Sequence, residues 1–313
     1  MALTVAMQTA LMFLFVAIGF ALYKTNKITD EGSKTVANIL VYAVLPAVIV
    51  KSFFKEPTKE NMTALGISAL IGLAVILISI VLSRLFFNSQ PIDEFASAFS
   101  NVGFFGIPLI RATSLGDAGV FYIASIVAFV NIGQWTYGVM RIAKKSFKEV
   151  FALKPLLLSP FVLATAVGMV LFFSGLGVKI TQIEITNKLI YGLIDGLSLA
   201  NTPLAMIVIG VYLAKTDFKS LITSKSAYLV SIVRLVVIPA VLLFALWAIP
   251  ESYHEIKLAV FIAGICPVGS NVAVYAQLHG GDYAHAVKTV TASTVLAIIS
   301  MPIFISLATL LWV

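Results

Sequence analysis

Phe99-Ser100-Asn101-Val102-Gly103-Phe104-Phe105-Gly106-Ile107-Pro108-Leu109 interrupts a hydrophobic stretch that is otherwise long enough to cross a bilayer. A second stretch, Ala263-Gly264-Ile265-Cys266-Pro267-Val268-Gly269-Ser270-Asn271-Val272-Ala273, is interrupted in the same way. Each puts an Asn, glycines and a Pro in mid-span, where a membrane helix is normally continuous and apolar. Pro removes a backbone donor and Gly weakens the helix, so the chain is expected to unwind there. Bare backbone at membrane depth is tolerated only where it is packed in protein or lines a wet cavity. Two such breaks at matching places in two halves of a chain point to the binding site of a transporter.

The surrounding chain has membrane composition: of 313 residues, 60% are hydrophobic and 11% charged, with a mean hydropathy of +1.04. A soluble domain carries roughly a quarter charged residues. Ten apolar spans are expected, at about 5–23, 36–54, 62–86, 94–112, 118–141, 155–175, 188–213, 227–248, 257–278 and 286–312. Each suits a hydrocarbon core of about 30 Å. No soluble domain fits in the gaps, so a single membrane domain is expected over 1–313. The first span has no basic residue before it and no small-residue cleavage site, which argues against a cleaved signal. The lone cysteine, Cys266, is read as a small packing residue near the second break.

Lysine and arginine placement orients the spans. The connection after span five carries Arg141, Lys144, Lys145, Lys148 and Lys154 against a single acid, Glu149. Lys24, Lys27, Lys34, Arg84, Lys215, Lys219, Lys225 and Lys288 fall on the same side, whereas Lys51, Lys55, Lys59, Arg111, Lys179, Lys188 and Lys257 fall opposite. The positive-inside rule places the 143–154 linker in the cytoplasm and both termini outside, in a multi-pass protein of a bacterial cytoplasmic (inner) membrane. Basic cytoplasmic loops account for the net charge of +7, so no nucleic-acid partner is implied.

The chain also repeats itself. Asn38 precedes Pro46 by eight residues, as Asp195 precedes Pro203, and Lys55 or Lys215 follows. The broken spans end toward Leu115-Gly116-Asp117-Ala118 and Gly280-Gly281-Asp282-Tyr283-Ala284. Two five-span halves, 1–142 and 155–313, then flank the basic linker, and an odd number of crossings per half inverts the second relative to the first.

Asn101-Val102-Gly103-Phe104-Phe105-Gly106-Ile107-Pro108-Leu109 resembles the Asn-x-Gly-Phe-x-Gly-Ile-Pro-Leu signature of the auxin efflux carrier family. Asn38 to Pro46, Asn201-Thr202-Pro203-Leu204-Ala205 and Pro267 to Asn271 resemble that family at the corresponding places, so the likeness covers essentially the whole chain. The resemblance implies an all-α integral membrane protein of ten transmembrane helices, arranged as two inverted five-helix repeats. Helices four and nine would cross at their broken middles, as in bile-acid symporters and certain sodium/proton antiporters. It also implies transport of an organic anion. The long central hydrophilic loop of the plant auxin exporters is missing here, so the chain looks like the short bacterial form and auxin itself is not implied. Bacterial relatives assigned as malonate or malate permeases make small carboxylates the leading expectation.

The physics of such a crossing agrees with that expectation. N-terminal half-helix ends carry free N–H groups and about half a positive charge each, which suits a carboxylate, whereas C-terminal ends present carbonyls to a cation. Asn101 and Asn271 can donate and accept, either to substrate or to the broken backbone itself. With Gly103, Gly106, Ser270, Asn201 and Arg234 they form the expected substrate-binding set, and Pro108 and Pro267 set where the helices open. Arg234 is read as neutralising a substrate carboxylate, pairing with Asp195 or snorkelling. Asp195, Asn38 and Gln134 are candidates for a proton or cation site, the competing readings being an interfacial position for Asp195 and interhelical hydrogen bonds for the amides. Arg111 is read as facing headgroups, and His254, His279 and His285 as solvated residues in or beside connections, with no metal-ligand spacing. Trp135, Trp247 and Trp312 suit lipid-facing and interfacial places.

Three function classes follow. A secondary transporter of a small organic anion leads. An intramembrane enzyme would need paired acids, a metal cluster or an activated nucleophile within spans, and none is evident. A channel or sensor on the same fold, and a sodium-coupled anion symporter, stand as alternatives. No phosphate-binding loop occurs, so ATP is not the energy source within this chain. No cofactor is expected. The expected partners are the anion, the lipid bilayer and a second copy of the chain in a homodimer.

Overall fold

The computed structural model of the protein describes residues 2–150 and 158–312. Lys154, the end of the expected linker and the start of the expected sixth span lie outside the described residues. Among those described there is no β-strand, and Ser100 and Val268 form an isolated antiparallel bridge.

In chain order the helices are α1 (Ala2–Lys24), α2 (Asp30–Ser52) and α3 (Lys59–Phe87), followed by the short pair α4 (Pro91–Ala98) and α5 (Val102–Arg111). Then come α6 (Gly116–Ala143), α7 (Pro160–Phe173), α8 (Leu176–Gln182), α9 (Glu184–Lys215) and α10 (Lys225–Trp247). A second short pair, α11 (His254–Gly264) and α12 (Asn271–Leu278), precedes the last helix, α13 (Tyr283–Leu311). Seven of these, α1, α2, α3, α6, α9, α10 and α13, are long and apolar enough to cross a membrane. The pair α7 and α8, bent by 75° relative to each other, makes eight when taken as one span. Both stretches read from the sequence as broken are non-helical at their middles, between Ala98 and Val102 and between Gly264 and Asn271.

Three prolines follow widened helical turns. Leu40–Val44, Val102–Gly106 and Val233–Val237 are π-helical turns, and each ends two residues before a proline, Pro46, Pro108 or Pro239. The carbonyl that each proline cannot bond, four residues back, lies inside the widened turn. Widening moves the ring clear of that carbonyl without breaking the helix. The helices therefore pass their prolines, and the true breaks occur where Asn and Gly add to the effect.

Helices α1, α2, α7 and α9 pack on one another, while α3, α6, α10 and α13 surround the two broken pairs. Where α1 meets α9 the backbones touch: a Cβ added at Gly19 would lie 2.2 Å from the Ile207 carbonyl oxygen, and one at Gly210 would lie 2.1 Å from that of Val16. Small residues are the usual means of bringing membrane helices this close. Leu70, Leu85, Val170 and Leu310 project outward, the apolar surface a bilayer requires. Trp247 joins them, as expected. Trp312 instead packs edge-on against Phe261 and donates its indole N–H to the Leu243 carbonyl at 3.1 Å.

Gly210→Leu is expected to force α1 from α9 and cost about 1–3 kcal/mol, the usual range for overpacking. Thermal unfolding of the purified protein in detergent checks this. Gly66→Ala, where an added Cβ meets nothing within 4 Å, should melt with the wild type.

Candidate functional site

The two breaks meet. The Asn101 N–H donates to the Pro267 carbonyl at 2.8 Å, and the Gly269 N–H donates to the Phe99 carbonyl at 3.0 Å. These two bonds frame the Ser100–Val268 bridge. Ser293 on α13 supports the pairing by accepting from the Val268 N–H at 3.1 Å. Glycine at position 269 keeps this approach close, since a Cβ there would lie 3.2 and 3.3 Å from the Phe99 and Ser100 carbonyl oxygens, tighter than an ordinary contact. Unwound backbone at this depth is thereby satisfied by unwound backbone.

Beyond the bridge, α5 and α12 begin. Their starts are the positive ends of the helix dipoles, although the Val272 and Ala273 N–H groups of α12 bond back to the Gly269 and Ser270 carbonyls at 3.1 and 3.3 Å. Both starts border a cavity of about 280 Å³ lined by Asn101, Gly103, Asn131, Gln134, Ser270 and Asn271, with Tyr42, Trp135, Phe161 and Tyr275 as its aromatic wall. No Asp, Glu, Lys, Arg or His lies among the described lining residues. Asn271 donates to the Gln134 side-chain oxygen at 2.9 Å, and Asn131 is satisfied by the Val127 carbonyl of its own helix at 2.8 Å. Asn101 differs, since its buried Nδ2 has no hydrogen-bond partner. A buried donor left unmade costs about 1–3 kcal/mol, so it is a group that a ligand can satisfy. A second cavity of about 720 Å³ adjoins the first through Tyr42, Phe104, Ser270 and Asn271, and extends to Asp30, Lys34, Lys215 and Tyr283 at the helix ends. Asn38 lines it.

The remaining candidates lie elsewhere. Gly106 faces Cys266, whose Sγ would be 3.0 Å from an added Cβ. Asn201 is buried on α9, lines neither cavity, and has no partner for either amide atom. Arg234 lines neither cavity and does not pair with Asp195. It is fully buried on α10, and its guanidinium donates to the carbonyls of Cys266 at 2.8 Å, Ser97 at 3.1 Å, Ala98 at 3.5 Å, and Gly264. Burying a charge costs several kcal/mol unless hydrogen bonds compensate it, and these four carbonyls supply them.

Asp195 pairs with Lys51 at 2.8 Å, and Lys51 also reaches Asp117 at 2.7 Å. Arg111, read from the sequence as facing headgroups, holds Asp117 at 2.9 Å and donates to the Ser198 carbonyl at 2.8 Å. This cluster ties α2, α5, α6 and α9 together at the face opposite the larger cavity's charged end.

Two buried acids escaped the sequence reading. Asp93, at the start of α4, bonds His285 at 2.5 Å and accepts from Ser226. Glu94 pairs with Arg141 at 2.6 Å and accepts from Tyr137. They pin the first turn of α4 to α6, α10 and α13. The available signal was an acid pair just inside an apolar stretch. His285 is accordingly a packed partner of Asp93 rather than a solvated residue.

Residues 4–305 match the family described as membrane transport protein. The chain is also 27% identical over 308 residues to a protein of Rhizobium meliloti (strain 1021) named "Putative malonate transporter", covering 93% of this chain and 92% of that relative. Both matches run through the two breaks, both cavities and Arg234. The chain thus belongs to the membrane transport protein family, that of the auxin efflux carriers, and is a multi-pass membrane protein.

Proposed function

We propose that the chain is a secondary carrier that moves a small organic anion, a mono- or dicarboxylate of the malonate or malate class, by alternating access. The observation that carries this reading is Asn101, which lines the cavity where two helices begin and whose buried Nδ2 has no hydrogen-bond partner. Helix N-termini and amide donors together suit a carboxylate. The name borne by the Rhizobium relative is consistent with that substrate class.

In this reading each broken pair counts as one span, as does the bent pair α7 and α8. Ten spans then form two inverted repeats, 1–142 and 155–313, joined by the cytoplasmic 143–154 linker, with both termini outside the cytoplasmic membrane. The group α1, α2, α7 and α9 serves as the scaffold, and the helices around the breaks carry the site past it. The charged end of the larger cavity, at Asp30, Lys34 and Lys215, then faces the cytoplasm. The Lys51, Asp117, Arg111 and Asp195 cluster closes the outer face.

Purified protein in liposomes should exchange labelled malonate or malate for internal unlabelled substrate. A channel gives conduction without such counterflow. Asn101→Ala and Asn271→Ala should each lower the exchange about tenfold or more while the protein elutes as a folded species, and full activity in both would remove the site assignment. Tyr42→Cys should react with an impermeant maleimide in inside-out vesicles but not in right-side-out ones. The native chain, whose Cys266 is buried, is the blank.

A further inference from the structure

Arg234 is the one group at the crossing whose charge the site description leaves unused. Its four acceptors are not scattered. Ser97 and Ala98 end α4, Gly264 ends α11, and Cys266 follows two residues later. The guanidinium thus sits between the C-terminal ends of both broken helices. Each such end carries about half a negative elementary charge, and each N-terminal end about half a positive one. One fixed cation therefore balances the two C-terminal ends. The first residues of α5 and α12, the positive ends of those helices, line the smaller cavity, where no charged side chain is among the described lining residues. None of the acceptors is a carboxylate, and no acid is among the cavity's described lining residues to offset those positive ends.

We propose that Arg234 is the resident counter-cation of the crossing. It takes the place between the two C-terminal helix ends that a coupling metal cation would otherwise fill, and so lets the site bind an anion without one. The proposal rests on the anion-carrier reading above and specifies its energetics: the substrate crosses with no sodium or other metal cation bound at the breaks. Arg234 is a positioning and charge-setting residue that acts through backbone, since it does not reach the cavity.

The test is malonate counterflow in liposomes at one fixed pH, with sodium and potassium replaced by choline. The expected rate is the same in all three salts. Two variants isolate the charge. Arg234→Lys keeps a cation, and its KM should stay near that of the wild type. Arg234→Gln keeps hydrogen-bond donors without charge, and its KM should rise about tenfold or more. A purely structural cap predicts equal KM in the two variants, which would overturn the proposal. A strict sodium requirement in the wild type would overturn it too while leaving the carrier reading intact, and that arm decides the matter if either variant fails to fold. Absence of counterflow for every carboxylate would remove the carrier reading and the proposal together.

Discussion

The structure depends on one constraint, that backbone exposed by a broken helix within the membrane must find partners there. The chain meets it by letting the two breaks satisfy each other. The Asn101 and Gly269 N–H groups donate to the Pro267 and Phe99 carbonyls, and Ser293 takes the Val268 N–H. What this pairing cannot satisfy divides by polarity. Carbonyls at the ends of α4 and α11 turn toward Arg234, while the first residues of α5 and α12 line the smaller cavity. The two ends of each break thus differ in polarity, and no charged side chain is among the described residues lining the cavity.

That arrangement explains why the surroundings are so heavily pinned. Asp93 and Glu94 fasten the first turn of α4 to three other helices through His285, Ser226, Arg141 and Tyr137. Lys51, Arg111, Asp117 and Asp195 fasten the far end of α5 to α2, α6 and α9. A short half-helix has little stability of its own, so the position of its ends must come from such tertiary contacts.

Much of this was legible in the residues. Helix-breaking Pro and Gly beside Asn, inside an apolar run, mark both breaks because they violate the local rule for a membrane helix. Asn101, Asn271 and Ser270 follow directly, since they sit at the breaks. Arg234 was visible as a charge within a span, but its role was not, because its partners are backbone carbonyls that any residue would present. Asp93 and His285 are 192 positions apart, and no spacing rule connects them. The pairing of Asp195 with Lys51, and not with Arg234, is equally a matter of how helices pack. The π turns ahead of Pro46, Pro108 and Pro239 belong to the legible part in retrospect. At these three positions the missing donor is met by a widened turn, whereas Pro302 is passed within regular α-helix.

The central claim is that the anion binds where the two broken helices begin, at the uncharged cavity beside Asn101. Diffraction from crystals soaked with a bromine-substituted dicarboxylate, collected at the bromine edge, tests it most directly. The account predicts an anomalous peak in the smaller cavity between Asn101 and Asn271, with a carboxylate oxygen within hydrogen-bond distance of the Asn101 Nδ2. A peak confined to the larger cavity beside Lys34 and Lys215, with the Asn101 amide still unpartnered, would contradict it.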